Sequence, residues 1–121
     1  MKKTVIIGAS TNPSRYAYLA AEMFSQRNIP VVPVGIKTGV LFGNEILNIK
    51  DKPEIKDVDT VTLYIGPQNQ PEWYDYMISL KPKRIIFNPG TENPEFEKLA
   101  KKSEIDTLRA CTLVLMSTGQ Y

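Results

Sequence analysis

The sequence predicts an α/β fold, a doubly wound, mostly parallel sheet of five to six strands with helices on both faces. Three observations predict it. Short β-branched apolar runs recur along the chain, at Val5-Ile6-Ile7, Val31-Val32-Pro33-Val34, Thr60 to Ile65 and Arg84 to Phe87. Between several of them, apolar residues repeat at helical rather than strand spacing. The runs are cut by Gly8, Gly35, Gly66-Pro67 and Asn88-Pro89-Gly90. Strands alternating with helices imply right-handed crossovers within one sheet.

Each element follows in order. Val5-Ile6-Ile7 is a buried strand stopped by Gly8. Gly8 to Ser14 is dense in turn and cap formers. Tyr16, Leu19, Ala20, Met23 and Phe24 then fall at i, i+3, i+4, i+7 and i+8, one apolar face of a helix that Asn28 stops. In the second strand Pro33 cannot donate to a ladder, so it is expected at the strand's end. Lys37 to Asn44 reads as a loop, Ile46 to Ile49 as a short extended piece, and Pro53 to Lys56 as one helical turn. Thr60 to Ile65 is a strand. Gln70-Pro71 opens a helix whose apolar face is Trp73, Tyr76, Met77 and Leu80. After the strand Arg84 to Phe87, Asn93 caps a helix that turns Phe96, Leu99 and Ala100 inward. Thr107-Leu108-Arg109 is the last strand. The apolar tail, Cys111 to Met116, fits helix or strand.

The totals narrow the function. The 121 residues fit a single domain, 1–121, with no repeat, low-complexity tract or linker. A net charge of +2 is not the basic footprint of a nucleic-acid binder. With one cysteine, Cys111, no intrachain disulfide forms, which favours a reducing compartment. The start of the chain lacks the apolar run of a signal peptide, and no stretch is long enough to span a membrane. The expected location is cytoplasmic. No histidine is present. That removes the usual nucleophile–base pairs and the commonest metal ligand, so no metal site is expected. The carboxylates Glu22, Glu45, Asp51, Glu54, Asp57, Asp59 and Asp75 are scattered and read as surface charge. Glu92 follows a strand-end loop, and fits either a site or a position before the next helix's cap.

Open sheets of this kind bind ligands beyond the carboxyl ends of their strands, at the switch point. Four loops therefore matter, after Ile7, Val34, Ile65 and Phe87. In the first, Gly8 permits a tight turn, and Ser10, Thr11, Asn12 and Ser14 add hydrogen-bonding groups just before a helix N-terminus, where phosphate binds well. Arg15 in the first helical turn opposes the helix dipole, which an anion between them would relieve. The plainer reading is a well-capped helix start with Ser14 as the cap, since the full G-x-G-x-x-G fingerprint is absent. After Val34 there is no acidic residue for the ribose of NAD; instead Lys37 stands ready for a ribose phosphate, as in coenzyme A or NADP, or is a solvated loop lysine. Asn88 and Pro89 read as turn chemistry, and Tyr64 and Phe87 as core or cleft wall. Cys111 reads first as a small, inert, buried residue.

Val5-Ile6-Ile7-Gly8-Ala9-Ser10, Asn12-Pro13-Ser14-Arg15-Tyr16 and Val32-Pro33-Val34 resemble the stand-alone coenzyme A-binding domain family, which is related to the coenzyme A-binding domain of the succinyl-CoA synthetase α subunit. The likeness continues through Ile65-Gly66-Pro67 and Asn88-Pro89-Gly90 into Cys111-Thr112. It implies a Rossmann-like fold that binds coenzyme A or an acyl-CoA. Gly8, Ala9, Ser10 and Thr11, with Asn12 and Ser14, would surround cofactor phosphate. Arg15 and Lys37 would meet its anionic groups. Ile65, Gly66 and Pro67 would line the pantetheine path, and Pro33, Val34 and Gly90 would complete the site. The synthetase's phosphorylated histidine lies in a second domain that has no counterpart here, so ligase activity is not implied. Gly35-Ile36 also replaces the family's common asparagine-proline after the second strand.

Three readings follow. The first is a non-catalytic module for coenzyme A, a small-molecule cofactor, with no catalytic residue assigned. The second is a small NADP-dependent reductase, which needs a Tyr-Lys pair at i, i+4; Tyr76 has Leu80 there. The third is a Rossmann-like interaction subunit without cofactor, which an exposed apolar patch at the tail would favour. Whether a reaction is catalysed stays open here, as do self-association and a protein partner.

Overall fold

In a computed structural model that describes residues 3–121, β1 (Lys3–Ile7) lies inside the sheet, between β2 (Val31–Gly35) and β6 (Val58–Leu63). The six-stranded order is β5-β2-β1-β6-β7-β8, with every neighbouring pair parallel. Here β5 is Leu47–Asn48, β7 is Arg84–Phe87 and β8 is Asp106–Arg109. Val5, Ile6, Ile7, Ile85, Ile86 and Phe87 are fully buried, because strands covered on both faces need continuous apolar runs. The fold is Rossmann-like, as the alternating pattern predicts.

Helices α1 (Tyr16–Gln26) and α4 (Thr112–Ser117) cover one face of the sheet, in a core with Ile6, Ala20, Phe24 and Met116. Helices α2 (Tyr74–Ser79) and α3 (Pro94–Lys102) cover the other, in a core with Val61, Met77, Phe87 and Phe96. The tail is thus helical. It packs beside α1 instead of extending the sheet.

Several expectations change. The buried stripe of α1 is Ala17, Ala20, Ala21 and Phe24, whereas Tyr16 is 70% exposed and Leu19 also faces outward. Alanines let the helix backbone approach the sheet closely, and this outweighs the bulkier stripe. Pro33 sits within β2, opposite Ile6, and not at its end. The carbonyls of Pro30 and Val34 accept from Thr4 and Gly8. Even-numbered residues therefore face β1, and Pro33 turns its nitrogen to the side where β5 pairs only from Val34 onward.

The segment read as a loop holds a hairpin, β3 (Val40–Leu41) with β4 (Asn44–Glu45). Phe42 and Gly43 form its turn with φ of 48° and 85°, the left-handed pair a two-residue hairpin favours. The helical turn expected at Pro53–Lys56 forms earlier, at Ile49–Asp51, where the Asn48 side chain accepts from the Lys50 amide. Lys52 at φ 46° ends it, and a residue before proline disfavours helix. The helix expected from Gln70 begins as two 3-10 turns, Pro67–Asn69 and Pro71–Trp73, and becomes α-helical only at Tyr74.

Candidate phosphate-binding cleft at the switch point

The chain leaves β1 towards β2 on one side, while β6 lies on the other, so the loops after β1 and β6 meet at the carboxyl end of the central strand. Gly8 starts the first loop with φ 97°, and a Cβ there would lie 3.0 Å from the Tyr64 carbonyl carbon. Both facts require glycine. The amides of Gly8 and Ala9 donate to the Val34 carbonyl at 2.9 and 3.0 Å, which ties the loop to β2. The β2 exit packs against it. A Cβ on Gly35 would lie 2.5 Å from the Ala9 oxygen, and one on Gly39 would lie 2.7 Å from Thr11 Cγ2. Lys37, exposed, lies between these two contacts.

The loop's polar groups fold on themselves and leave the helix end open. The Asn12 amide donates to Ser10 Oγ at 3.0 Å, and Asn12 Oδ1 accepts from the Ser14 amide and hydroxyl at 3.0 and 2.8 Å. Ser14 is therefore not the helix cap. Arg15 is the N-cap residue, one position before the helix, and its side chain caps nothing. No acidic residue occupies the first turn of α1. Helix α3 shows the contrast: Asn93 accepts from the Phe96 amide at 3.2 Å, and Glu95 and Glu97 stand in its first turn. The amino end of α1 thus carries positive dipole with no side-chain acceptor, beside a run from Thr11 to Tyr16 that is wholly exposed. This donor set fits a phosphate.

The remaining residues fall into two groups. Ile65, Gly66 and Pro67 are half-buried along the β6 exit. Gly90, at φ 92°, follows β7 and donates its amide to Glu92 Oε1 at 2.8 Å, so Glu92 closes its own loop. Pro33 and Val34 are buried in β2, so of these two it is the Val34 carbonyl that meets the loop.

Sequence reasoning missed the bracing part that four residues play at this end of the sheet. Gly35 is one, and a glycine directly after a strand was the available signal. Gln70 is fully buried; its Nε2 donates to the Ile65 and Thr91 carbonyls at 2.9 and 2.8 Å, joining the β6 and β7 exits. Asn93 extends that link by donating to Gln70 Oε1 and the Tyr74 hydroxyl. Asn88, read as turn chemistry, is buried. Its Nδ2 donates to Thr62 Oγ1 and the Leu63 carbonyl at 2.8 and 3.0 Å, and its Oδ1 accepts from the Thr112 amide at 2.9 Å. It pins the start of α4 to the sheet.

Tyr64 stands at the β6 exit, partly packed in the α1–α4 core. Burial pushes its phenol up to about 12, while the Thr62 and Thr112 hydroxyls pull it down. Cys111 is half-buried at the N-cap of α4, more open than an inert core cysteine would be. Among the described residues no group of three or more His, Cys, Asp or Glu side chains could hold a metal ion. Among them also, no helix is long and apolar enough to cross a membrane. Two shallow grooves, of about 540 and 610 Å³, lie elsewhere, along α3 and β8 between exposed side chains such as Lys98, Lys101 and Asp106. They are open surface without buried polar donors.

The strand order and the two helical layers define a Rossmann-like domain. Residues 2–117 match the CoA binding domain family, and the chain belongs to it. A solved structure described only as an uncharacterized protein is 51% identical, covering 100% of this chain and 98% of its own, with a TM-score of 0.95. Two more distant structures share the fold at a TM-score of 0.83. One, from Thermus thermophilus, is called cell-free ID.343, and is 24% identical over 99% of this chain and 90% of its own. The other, a hypothetical protein from Pyrococcus horikoshii OT3, is 23% identical over 97% and 82%. A comparison with curated proteins returned no match.

Proposed function

We propose that this protein is a single-domain module that binds coenzyme A or an acyl-CoA through the Gly8-Ala9-Ser10-Thr11 loop and has no catalytic centre of its own. The observation that carries the reading is the uncapped amino end of α1, set behind a loop that Val34 and Gly35 hold against β2. In this reading the loop amides, the hydroxyls of Ser10, Thr11 and Ser14, and Asn12 surround phosphate. Arg15 and Lys37 supply charge from either side of the loop. Ile65, Gly66, Pro67 and Gly90 border the path of the pantetheine arm. Coenzyme A, when bound, supplies a thiol and its thioesters.

Calorimetric titration with coenzyme A, dephospho-coenzyme A, NADP and NAD at two salt concentrations tests this. Coenzyme A is expected to bind, more weakly at high salt and more weakly without the ribose phosphate. Lys37→Ala is expected to remove the difference between coenzyme A and its dephospho form. Preference for NADP would favour a reductase. Absence of binding to all four would leave an interaction scaffold.

A further inference from the structure

We propose that two copies of this chain associate through the outer face of the α1–α4 layer. The first observation is the second apolar stripe of α1. With Ala17, Ala20, Ala21 and Phe24 turned to the sheet, Tyr16 and Leu19 stand 70% and 37% exposed, and Met23 continues their line at half burial. These three are spaced i, i+3, i+7, a single helical row. The second observation is α4, the neighbour of α1 on the same face. It presents Val114 at 54% exposure, flanked by half-buried Leu113 and Leu115.

Charge separates this layer from the other. The eleven residues of α1 and the six of α4 hold one charged side chain, Glu22, and none occurs from Ala110 to Tyr121. Helix α3 alone carries Glu95, Glu97, Lys98, Lys101 and Lys102. Solvated surfaces of soluble domains are about 25–35% charged. Loss of charge with enrichment in aromatic residues marks the core of an interface.

Area and charge together select a second copy as the occupant. The exposed parts of Tyr16, Leu19 and Val114, with their half-buried neighbours, amount to roughly 400 Å² of apolar side chain. A stable dimer buries about 800 Å² per partner, of which the apolar core is a little over half. The patch supplies most of that core, and its uncharged rim, such as Ser25, Gln26, Ser117 and Gln120, can supply the rest. Apposition of the face with itself brings few like charges together. The same operation on the α3 layer would confront Lys101 and Lys102 with their copies. An acidic partner would find no complementary charge on α1 or α4, and a basic one only the half-buried Glu22.

Sedimentation velocity from micromolar to submillimolar protein reads the association, through a species of twice the 13.7 kDa chain mass. Val114→Lys, at a side chain already 54% exposed, and Leu19→Glu are each expected to weaken dimerisation by about tenfold or more, since each places a charge in a desolvated core. Circular dichroism is expected to match the parent, and Lys101→Glu on the opposite layer is expected to leave the dimer intact. A monomeric parent at the highest concentration overturns the proposal. So does a dimer that survives Val114→Lys, or one lost with Lys101→Glu. Because the readout is mass, failure here is distinct from failure of coenzyme A binding.

Discussion

Replacing Gly35 with alanine isolates the contact that holds the proposed phosphate loop against the sheet. The new methyl would lie 2.5 Å from the Ala9 carbonyl oxygen. Carbon–oxygen contacts settle at about 3.3–3.6 Å, so the two must part by roughly 0.8 Å or more. Neither side yields easily. Ala9 is tied by its amide to Val34 at 3.0 Å, and β2 is paired with β1 and with β5 through Gly35 opposite Asn48. Overpacking of this kind costs about 1–3 kcal/mol. Weakening the Ala9–Val34 bond adds about 1 kcal/mol. Gly35 is not in the left-handed region, so the alanine returns about 0.4–1 kcal/mol through the unfolded chain. The net loss is about 2 kcal/mol, which for a chain of this size lowers Tm by roughly 8 °C. Thermal melting by circular dichroism measures this, and titration with coenzyme A measures the accompanying displacement of the loop as weaker binding. Gly66→Ala is the internal control. Its Cβ would meet the exposed Gln68 amide first, at 3.0–3.3 Å, and that side chain can swing away, so the expected cost is below about 0.5 kcal/mol. A Gly35→Ala protein that melts within about 2 °C of the parent would refute the close-approach argument.

Three more outcomes follow. Asn88→Ala strands the Thr112 amide and takes a donor from the Leu63 carbonyl in the interior, while the Thr62 hydroxyl keeps its bond to the Thr112 hydroxyl, and is expected to cost roughly 2 kcal/mol in urea unfolding; a loss under about 1 kcal/mol would deny Asn88 its bracing role. Hydrogen bonds from Arg109, at 2.9 Å to both carboxylate oxygens, hold Glu97 below its usual range; its folded pKa is depressed, so the stability is present above the ordinary glutamate range and is lost as pH falls through the lowered value. Melting of Glu97→Gln should therefore fall below that of the parent at neutral pH and converge with it in acid, and a gap that persists in strong acid would contradict this. Burial pushes the phenols of Tyr64 and Tyr76 up to about 12, so the stability they confer is complete below the unfolded value of about 10 and declines as pH climbs towards 12. Replacing both by phenylalanine is expected to flatten that alkaline decline, and an unchanged slope in unfolding across this range would contradict the assignment.

Much of the architecture was legible in the chain because strands buried on both faces must be apolar without interruption. Val5 to Ile7 and Ile85 to Phe87 announce themselves in this way, and Asn93 announces the start of α3 by the local chemistry of a cap. The loops after β1 and β6 were legible as strand-end loops for a similar reason, since Gly8 and Gly66-Pro67 are local signals. Other features depend on which parts of the chain meet. Periodicity alone put Tyr16, Leu19 and Met23 on the buried face of α1 together with Ala20 and Phe24, of which only the last two are buried, because side-chain bulk says nothing of how closely a helix must approach its sheet. Pro33 fits within β2 because of the parity with which β2 pairs β1, a property of two strands and not of one. Asn88 looks like a turn residue until Thr62 and Thr112 are brought to its amide. The need for glycine at position 35 comes from the Ala9 oxygen, and Ala9 lies in another loop. Burial pattern, capping and turn chemistry are carried by neighbours in sequence, so the sequence by itself determined the parallel α/β order and the loops that face the switch point. Close approach, register parity and buried hydrogen bonds arise between segments far apart in the chain, so only the tertiary structure decided which stripe of α1 stays outside, how the loop after β1 is held, and what anchors α4.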